Sequence, residues 1–189
     1  MNEIMTNAVI FLAKGFEEIE AVTVIDILRR ADINVIIAGL SPGNVEGGHS
    51  IMIIPDTTID DLDINNFDAL IIPGGNPGYK NLRNDSRVIA LIKKASESGK
   101  IIAAICAAPS VLAYAGVLGG KNCTIYPGME KELEQGGSNP KQDLVVIDDN
   151  IITSRGPATA LHFALAIVEK LVGKQITESV RKNTLMNRL

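Results

Sequence analysis

A cysteine that closes an apolar run and is followed at once by two alanines and a proline is a candidate nucleophile. The segment reads Ile101-Ile102-Ala103-Ala104-Ile105-Cys106-Ala107-Ala108-Pro109. The apolar run is expected to form a buried strand, and a helix is expected from Pro109 to Tyr114. A tight strand-to-helix turn needs small neighbours and exposes its turn residue above the sheet. Unpaired N–H groups and the positive dipole end of the helix would favour a thiolate and lower the thiol pKa. The segment equally suits an inert core thiol, since free cysteine is among the most buried residue types.

Two further segments could complete a site. Gly74-Gly75, after the apolar stretch Ala69 to Ile72, offers backbone N–H groups with no side chain in the way, able to hold an oxyanion. Gly-Gly is also a common strand-ending turn. Glu17, Glu18 and Glu20 fall in the first turns of an expected helix, where carboxylates suit the dipole without further purpose. Glu17 and Glu20 are three apart and share a face, whereas Glu18 points elsewhere. A desolvated Glu20 would have a raised pKa and could serve as general acid/base beside a thiolate.

Other chemistries find less support. His49 sits in a Gly-rich loop and His162 in a late helix, and neither has a second ligand at metal spacing in the sequence. No metal or cofactor is expected. The Gly43 to Gly48 loop lacks the Lys-Ser/Thr ending of a phosphate loop. Net charge is −4 and no Lys/Arg cluster stands out, which disfavours nucleic acid as a partner. Aromatics make up 4% and Trp is absent, so stacking platforms are not expected. The apolar runs are too short to span a bilayer, and the first residues do not read as a signal peptide. Cys106 and Cys123 are therefore expected as reduced thiols in a cytoplasmic protein, Cys123 as an ordinary strand thiol.

The elements that must position these residues alternate. With 189 residues, 46% hydrophobic and 21% charged, the chain suits one well-buried domain over 1–189. Strands are expected at Ala8 to Leu12, Asn34 to Ala38, Ile51 to Ile54, Ala69 to Ile72, Ile101 to Ile105, near Thr124, Leu144 to Ile147 and Ile151 to Thr153. The last two form a hairpin through Asp148-Asp149-Asn150. Helices are expected at Glu17 to Arg30, Val88 to Ser98, Pro109 to Tyr114, Met129 to Glu134, Ala158 to Leu171 and from Thr177, with a loop over Ser41 to Gly48. Asp85 or Ser86 should cap the second helix and Gly99 should follow it. Continuous apolar strands alternating with helices imply an α/β fold with a mostly parallel sheet covered on both faces. Ligands in such sheets bind beyond the C-terminal strand ends.

The chain resembles the ThiJ/PfpI superfamily, in the branch containing the parkinsonism-associated protein deglycase and its bacterial relatives. The matching pieces are Leu12 to Glu20, Ile72-Pro73-Gly74-Gly75-Asn76, Ile102 to Pro109, Thr153-Ser154-Arg155-Gly156-Pro157-Ala158-Thr159 and Phe163 to Val168. The resemblance implies a flavodoxin-like three-layer sandwich of the class I glutamine amidotransferase-like kind, forming a homodimer. It implies that Cys106 is an easily oxidised nucleophile, Glu20 the protonated carboxyl bonded to its sulfur, and Gly75 and Ala107 the backbone oxyanion donors. Gly74 belongs to the same matched piece, and Arg155 and Pro157 match a segment near the site. Many relatives carry His in a Thr-x-His-Pro setting near the cysteine. Here Thr124-Ile125-Tyr126-Pro127 puts Tyr126 there, and a neutral phenol can donate a hydrogen bond but not act as a base near pH 7. The protease-like branch has His directly after the nucleophile, where Ala107 stands.

The resemblance thus implies a glutathione-independent glyoxalase or protein deglycase acting on methylglyoxal-type dicarbonyls and glycated protein. A redox sensor or chaperone that uses Cys106 without turnover needs the same activated thiol. A cysteine peptidase or amidase is the weakest of the three.

Overall fold

The computed structural model describes residues 5–188. In β1 (Asn7–Leu12), Ala8, Ile10 and Leu12 face one core while Val9 and Phe11 face the other, all fully buried. A strand with both faces covered needs this unbroken apolar run. There follow α1 (Glu18–Arg30), β2 (Asn34–Gly39), β3 (Val45–Glu46), β4 (Met52–Ile53), β5 (Thr57–Thr58), β6 (Ala69–Ile72), α2 (Gly78–Asn84), α3 (Ser86–Glu97), β7 (Ile101–Ile105) and α4 (Pro109–Ala115). Then come β8 (Asn122–Cys123), α5 (Glu130–Gln135), β9 (Asn139–Pro140), β10 (Val145–Asp148), β11 (Ile151–Ser154), α6 (Ala160–Val172) and α7 (Lys174–Asn183).

The main sheet has seven strands in the order β10-β11-β7-β6-β1-β2-β5. Every neighbouring pair is parallel except the β10–β11 hairpin. On one face Val24 and Leu28 of α1 meet Phe163 and Ile167 of α6, with Val180 of α7. On the other, Val88 and Ile92 of α3 meet Val111 and Leu112 of α4, with Leu82 of α2 and Leu133 of α5. Helices on both faces of a mostly parallel sheet make this a flavodoxin-like α/β fold.

Asp85 caps α3, its carboxylate accepting from the Arg87 N–H at 2.9 Å, and Gly99 follows with φ +66°. Five details depart from the sequence expectation. The Ser41 to Gly48 loop contains β3, which pairs antiparallel with β4. The short edge strand β5 and the helix α2 were not expected; α2 buries only Gly78 and Leu82, too little for an apolar stripe. The strand near Thr124 lies just before it, at β8, which pairs with β9. The final helix starts at Lys174, before Thr177, because Gly173 (φ +87°) reverses the chain in one residue.

The three sequence segments that could do chemistry follow β7, β6 and β1, three adjacent strands. From β1 the chain runs outward to β2 and β5, then returns to β6 on β1's other side, so the strand order reverses there. The crevice beyond the carboxyl ends of β1 and β6 is where open α/β sheets bind ligands.

Candidate active site

Cys106 ends β7 in the left-handed region, with φ +63°. That conformation is uncommon for a residue with a Cβ and concentrates at functional sites. Both its backbone groups are tied down: its N–H donates to the Ser154 carbonyl at 3.0 Å, and its carbonyl accepts from the Tyr126 N–H at 2.9 Å. The thiol is partly accessible. Cys123 is a free and fully buried strand thiol, and its pKa is pushed up to about 11 by burial and then by the Asp148 charge.

Glu20 lies across from the sulfur with no exposed surface. Its Oε2 accepts from the Gly74 N–H at 2.7 Å, and Oε1 has no nitrogen or oxygen donor among the described residues. Gly74 brings the two groups together. A Cβ on Gly74 would lie 2.7 Å from the Cys106 Cβ, 3.1 Å from its Sγ and 2.8 Å from Glu20 Oε2. Gly75 has φ +93°, and a Cβ there would lie 2.3 Å from the Glu17 nitrogen. Only glycine allows this close crossing of the β1 and β6 ends. The N–H groups of Gly75 and Ala107 donate toward the Cys106 sulfur.

The protonation pattern corrects one expectation. The Cys106 thiol is not lowered but pushed up to about 12, first by burial, then by the charge and hydrogen bonding of an ionised Glu20. Helix α4 offers little to oppose this. It has seven residues, its first is Pro109, and the N–H groups of Ala108, Ser110 and Val111 are used within the turn. Glu20 in turn is raised to about 7, mainly by burial, with the Gly74 N–H and Cys106 pulling the other way. The two groups therefore compete over one charge. While Glu20 is ionised the thiol stays protonated; a protonated Glu20 removes that repulsion and can donate to the sulfur.

A cavity of about 430 Å³ opens over Cys106. Glu17, Gly75, Ala107, Tyr126 and Pro157 line it, with Tyr79, Lys80 and Met129. Arg155 does not: it pairs with Glu130 at 3.7 Å and donates to the Gln142 carbonyl at 3.0 Å, securing the segment before Pro157. Tyr79 and Lys80 escaped the sequence reading because α2 itself did, and only the Gly74-Gly75-Asn76 motif before it pointed there; Met129 begins the expected helix at Met129 to Glu134, but nothing in the sequence placed it over Cys106.

His49 corrects a second expectation. Its Nδ1 lies 2.9 Å from Glu18 Oε2 and 3.8 Å from Glu17 Oε2, partners that a separation of 31 residues hides in the sequence. The ligand atoms of the three lie within 4.8 Å of one another. The Glu18 carboxylate is already engaged, however, accepting from the N–H groups of His49 at 2.6 Å and Ile51 at 3.4 Å. The trio works as a clasp holding the loop before β4 against α1.

A partly accessible cysteine at a left-handed elbow, facing a buried carboxyl across a glycine pair on adjacent strand ends, defines a cysteine-centred class of flavodoxin-like α/β proteins. The chain belongs to the DJ-1/PfpI family, whose profile matches residues 6–170. It is 42% identical over 181 residues to protein dj-1beta of Drosophila melanogaster, covering 95% of this chain and 97% of that one. The crystal structure of that fly protein superposes with a TM-score of 0.91, covering 96% of this chain and 98% of that chain. The glutathione-independent glyoxalase DJR-1.2 of Caenorhabditis elegans is 39% identical over 166 residues, 88% of each chain. Toxoplasma gondii DJ-1, solved in an oxidized form, superposes at a TM-score of 0.90 with 32% identity, covering 95% of this chain and 98% of that one. Among the described residues no helix is long and apolar enough to cross a membrane.

Proposed function

We propose that this chain is a glutathione-independent glyoxalase and deglycase, with Cys106 as nucleophile and Glu20 as general acid/base. The observation that carries the reading is the meeting of the Cys106 sulfur and the buried Glu20 carboxyl on Gly74, under an open cavity. The C. elegans relative of that name supports it.

In this reading ionised Glu20 takes the Cys106 thiol proton as the sulfur adds to the aldehyde carbon of a 2-oxoaldehyde. The oxyanion is held by the Gly75 and Ala107 N–H groups and takes up a proton to give a hemithioacetal. Glu20 removes the proton from that carbon and a proton returns to the neighbouring carbon, while the hemithioacetal hydroxyl proton passes to the former ketone oxygen, leaving the thioester carbonyl. The product is a thioester of a 2-hydroxy acid. Water hydrolyses it, so methylglyoxal plus water becomes lactate and the thiol is regenerated. A carboxyl with a pKa of about 7 can both take and give a proton near neutral pH. Adducts on glycated side chains would be opened by the same attack. No step requires a cofactor or metal.

The chain would act as one domain over 1–189 and as a homodimer in the reducing cytoplasm, to which its two free thiols are suited. Exposed Ile19 and Val22 line a groove between α1 and α6 shared with Pro157, and exposed Met52 and Ile54 add apolar surface nearby in sequence to the clasp loop.

The test is conversion of methylglyoxal to lactate. Cys106→Ser should abolish it and Glu20→Gln should remove most of it; full activity in Cys106→Ser refutes the reading. A redox sensor or chaperone remains the second reading, favoured by the partial exposure of Cys106 and by the oxidized Toxoplasma relative. Intact mass after mild peroxide, run beside the turnover assay, separates the two. Peptidase chemistry is disfavoured because Tyr126 and Ala107 stand where a histidine base would be needed.

A further inference from the structure

The cavity over Cys106 holds more than a three-carbon dicarbonyl requires. Its volume of about 430 Å³ falls within the range that encloses ligands of drug size, roughly 300–1,000 Å³. Its two charged lining residues are Glu17 and Lys80. Glu17 has a partner in His49 at 3.8 Å. Lys80 has none: among the described residues no carboxylate lies within ion-pair distance of it, although nearby Arg83 pairs with Glu132 at 3.3 Å and Lys14 with Glu46 at 3.1 Å. The Lys80 ammonium instead rests 5.8 Å from the centre of the Tyr79 ring, another wall of the cavity. A cation–π contact of this kind keeps the charge against the wall without neutralising it. Tyr79, Tyr126 and Met129 supply apolar surface around it.

We propose that the preferred substrate is a 2-oxoaldehyde bearing a carboxylate at the far end of a short chain, with Lys80 as the residue that selects it. The inference rests on the glyoxalase reading of Cys106 and Glu20. The aldehyde end meets the sulfur, the chain lies along Tyr79 and Met129, and the carboxylate pairs with Lys80. One cation matches one negative charge. A dianionic head would exceed that match in a cavity that already contains Glu17. Lys80 touches no reacting atom, so its effect belongs in KM.

The experiment compares 4,5-dioxopentanoate with its neutral methyl ester, on the wild type, Lys80→Gln and Lys80→Glu. An exposed pair of this kind should favour the acid about two- to fivefold in kcat/KM. The preference should reside in KM, shrink in high salt, vanish in Lys80→Gln and invert in Lys80→Glu. Equal use of acid and ester by the wild type, or a preference that survives in Lys80→Gln, overturns the proposal. If the wild type turns over neither compound nor methylglyoxal, the glyoxalase reading fails instead. The proposal is then judged by calorimetric binding of 4-oxopentanoate, which lacks the aldehyde: weaker binding to Lys80→Gln supports the Lys80 contact, and equal binding refutes it.

Discussion

Glu20→Gln should make the protein more stable at alkaline pH while disabling it. Glu20 has no exposed surface, and its pKa is raised from 4.5 to about 7, chiefly by burial. A raised carboxyl pKa means the fold prefers the protonated form. Its contribution is fully present below the unfolded value of 4.5 and is lost as pH rises through about 7. At about 1.4 kcal/mol per pH unit, ionised Glu20 destabilises the wild type by about 3 kcal/mol above pH 7. Glutamine is nearly isosteric, cannot ionise, and can still accept the Gly74 N–H through its amide oxygen. The assay is urea unfolding of reduced protein at pH 5 and pH 8, at one fixed protein concentration. The stability of Glu20→Gln relative to wild type should be about 2–3 kcal/mol more favourable at pH 8 than at pH 5. Turnover of methylglyoxal should fall at least a hundredfold, the scale of a lost general acid/base. A stability difference that does not change between the two pH values would refute the buried, proton-holding carboxyl and the proton role built on it.

Gly74→Ala would drive a methyl between the Cys106 Cβ and Glu20 Oε2, at 2.7 and 2.8 Å, and should cost about 1–3 kcal/mol and about a hundredfold in turnover; thermal melts and lactate formation check both. Gly75→Ala should be worse, combining φ +93° with a clash at 2.3 Å against the Glu17 nitrogen, and should show as loss of soluble folded protein or a sharply lower melting point. The clasp gives a pH signature of its own. His49 is raised by its hydrogen bond to Glu18 and the Glu17 and Glu18 charges, so its contribution is present below pH 6.5 and lost as pH rises through the folded value. Burial alone would raise Glu18, but the His49 and Ile51 hydrogen bonds leave it lowered, so its contribution is present above 4.5 and lost on acidification. The melting-point gap between wild type and His49→Gln should therefore be widest between about pH 4.5 and 6.5, and a gap that is flat with pH counts against the ion pair. Mild peroxide should add oxygen to Cys106 before Cys123, because Cys106 is partly accessible and Cys123 is fully buried; peptide mass mapping decides it.

The local sequence determined a good deal. Unbroken apolar runs at Ala8 to Leu12, Ala69 to Ile72 and Ile101 to Ile105 specify central strands, because a parallel strand buried on both faces cannot alternate with polar residues. Small residues after Cys106 and the glycines at 74 and 75 marked two tight strand ends; at the glycines a Cβ would run into the Cys106 side chain or the Glu17 backbone. Elements with weak patterns were illegible: α2 buries little, and β3 and β5 have two residues each. Their existence depends on hydrogen bonds to distant segments, such as Gly15 N–H to the Glu46 carbonyl at 2.8 Å. With α2 went Tyr79 and Lys80, the far wall of the cavity.

Tertiary structure alone decided the electrostatics. From the sequence, Cys106 is a thiol beside a helix start and therefore lowered. In the fold, burial and a charged neighbour 86 positions earlier, Glu20, reverse that direction, because desolvation acts through surrounding volume and repulsion through distance in space. In the same way Glu17 and Glu18 reach His49 across 31 positions or more. The residue types that could do chemistry are thus legible along the chain. Which proton each holds, and which charge stands over the substrate, follow only once β7, β6 and β1 lie side by side.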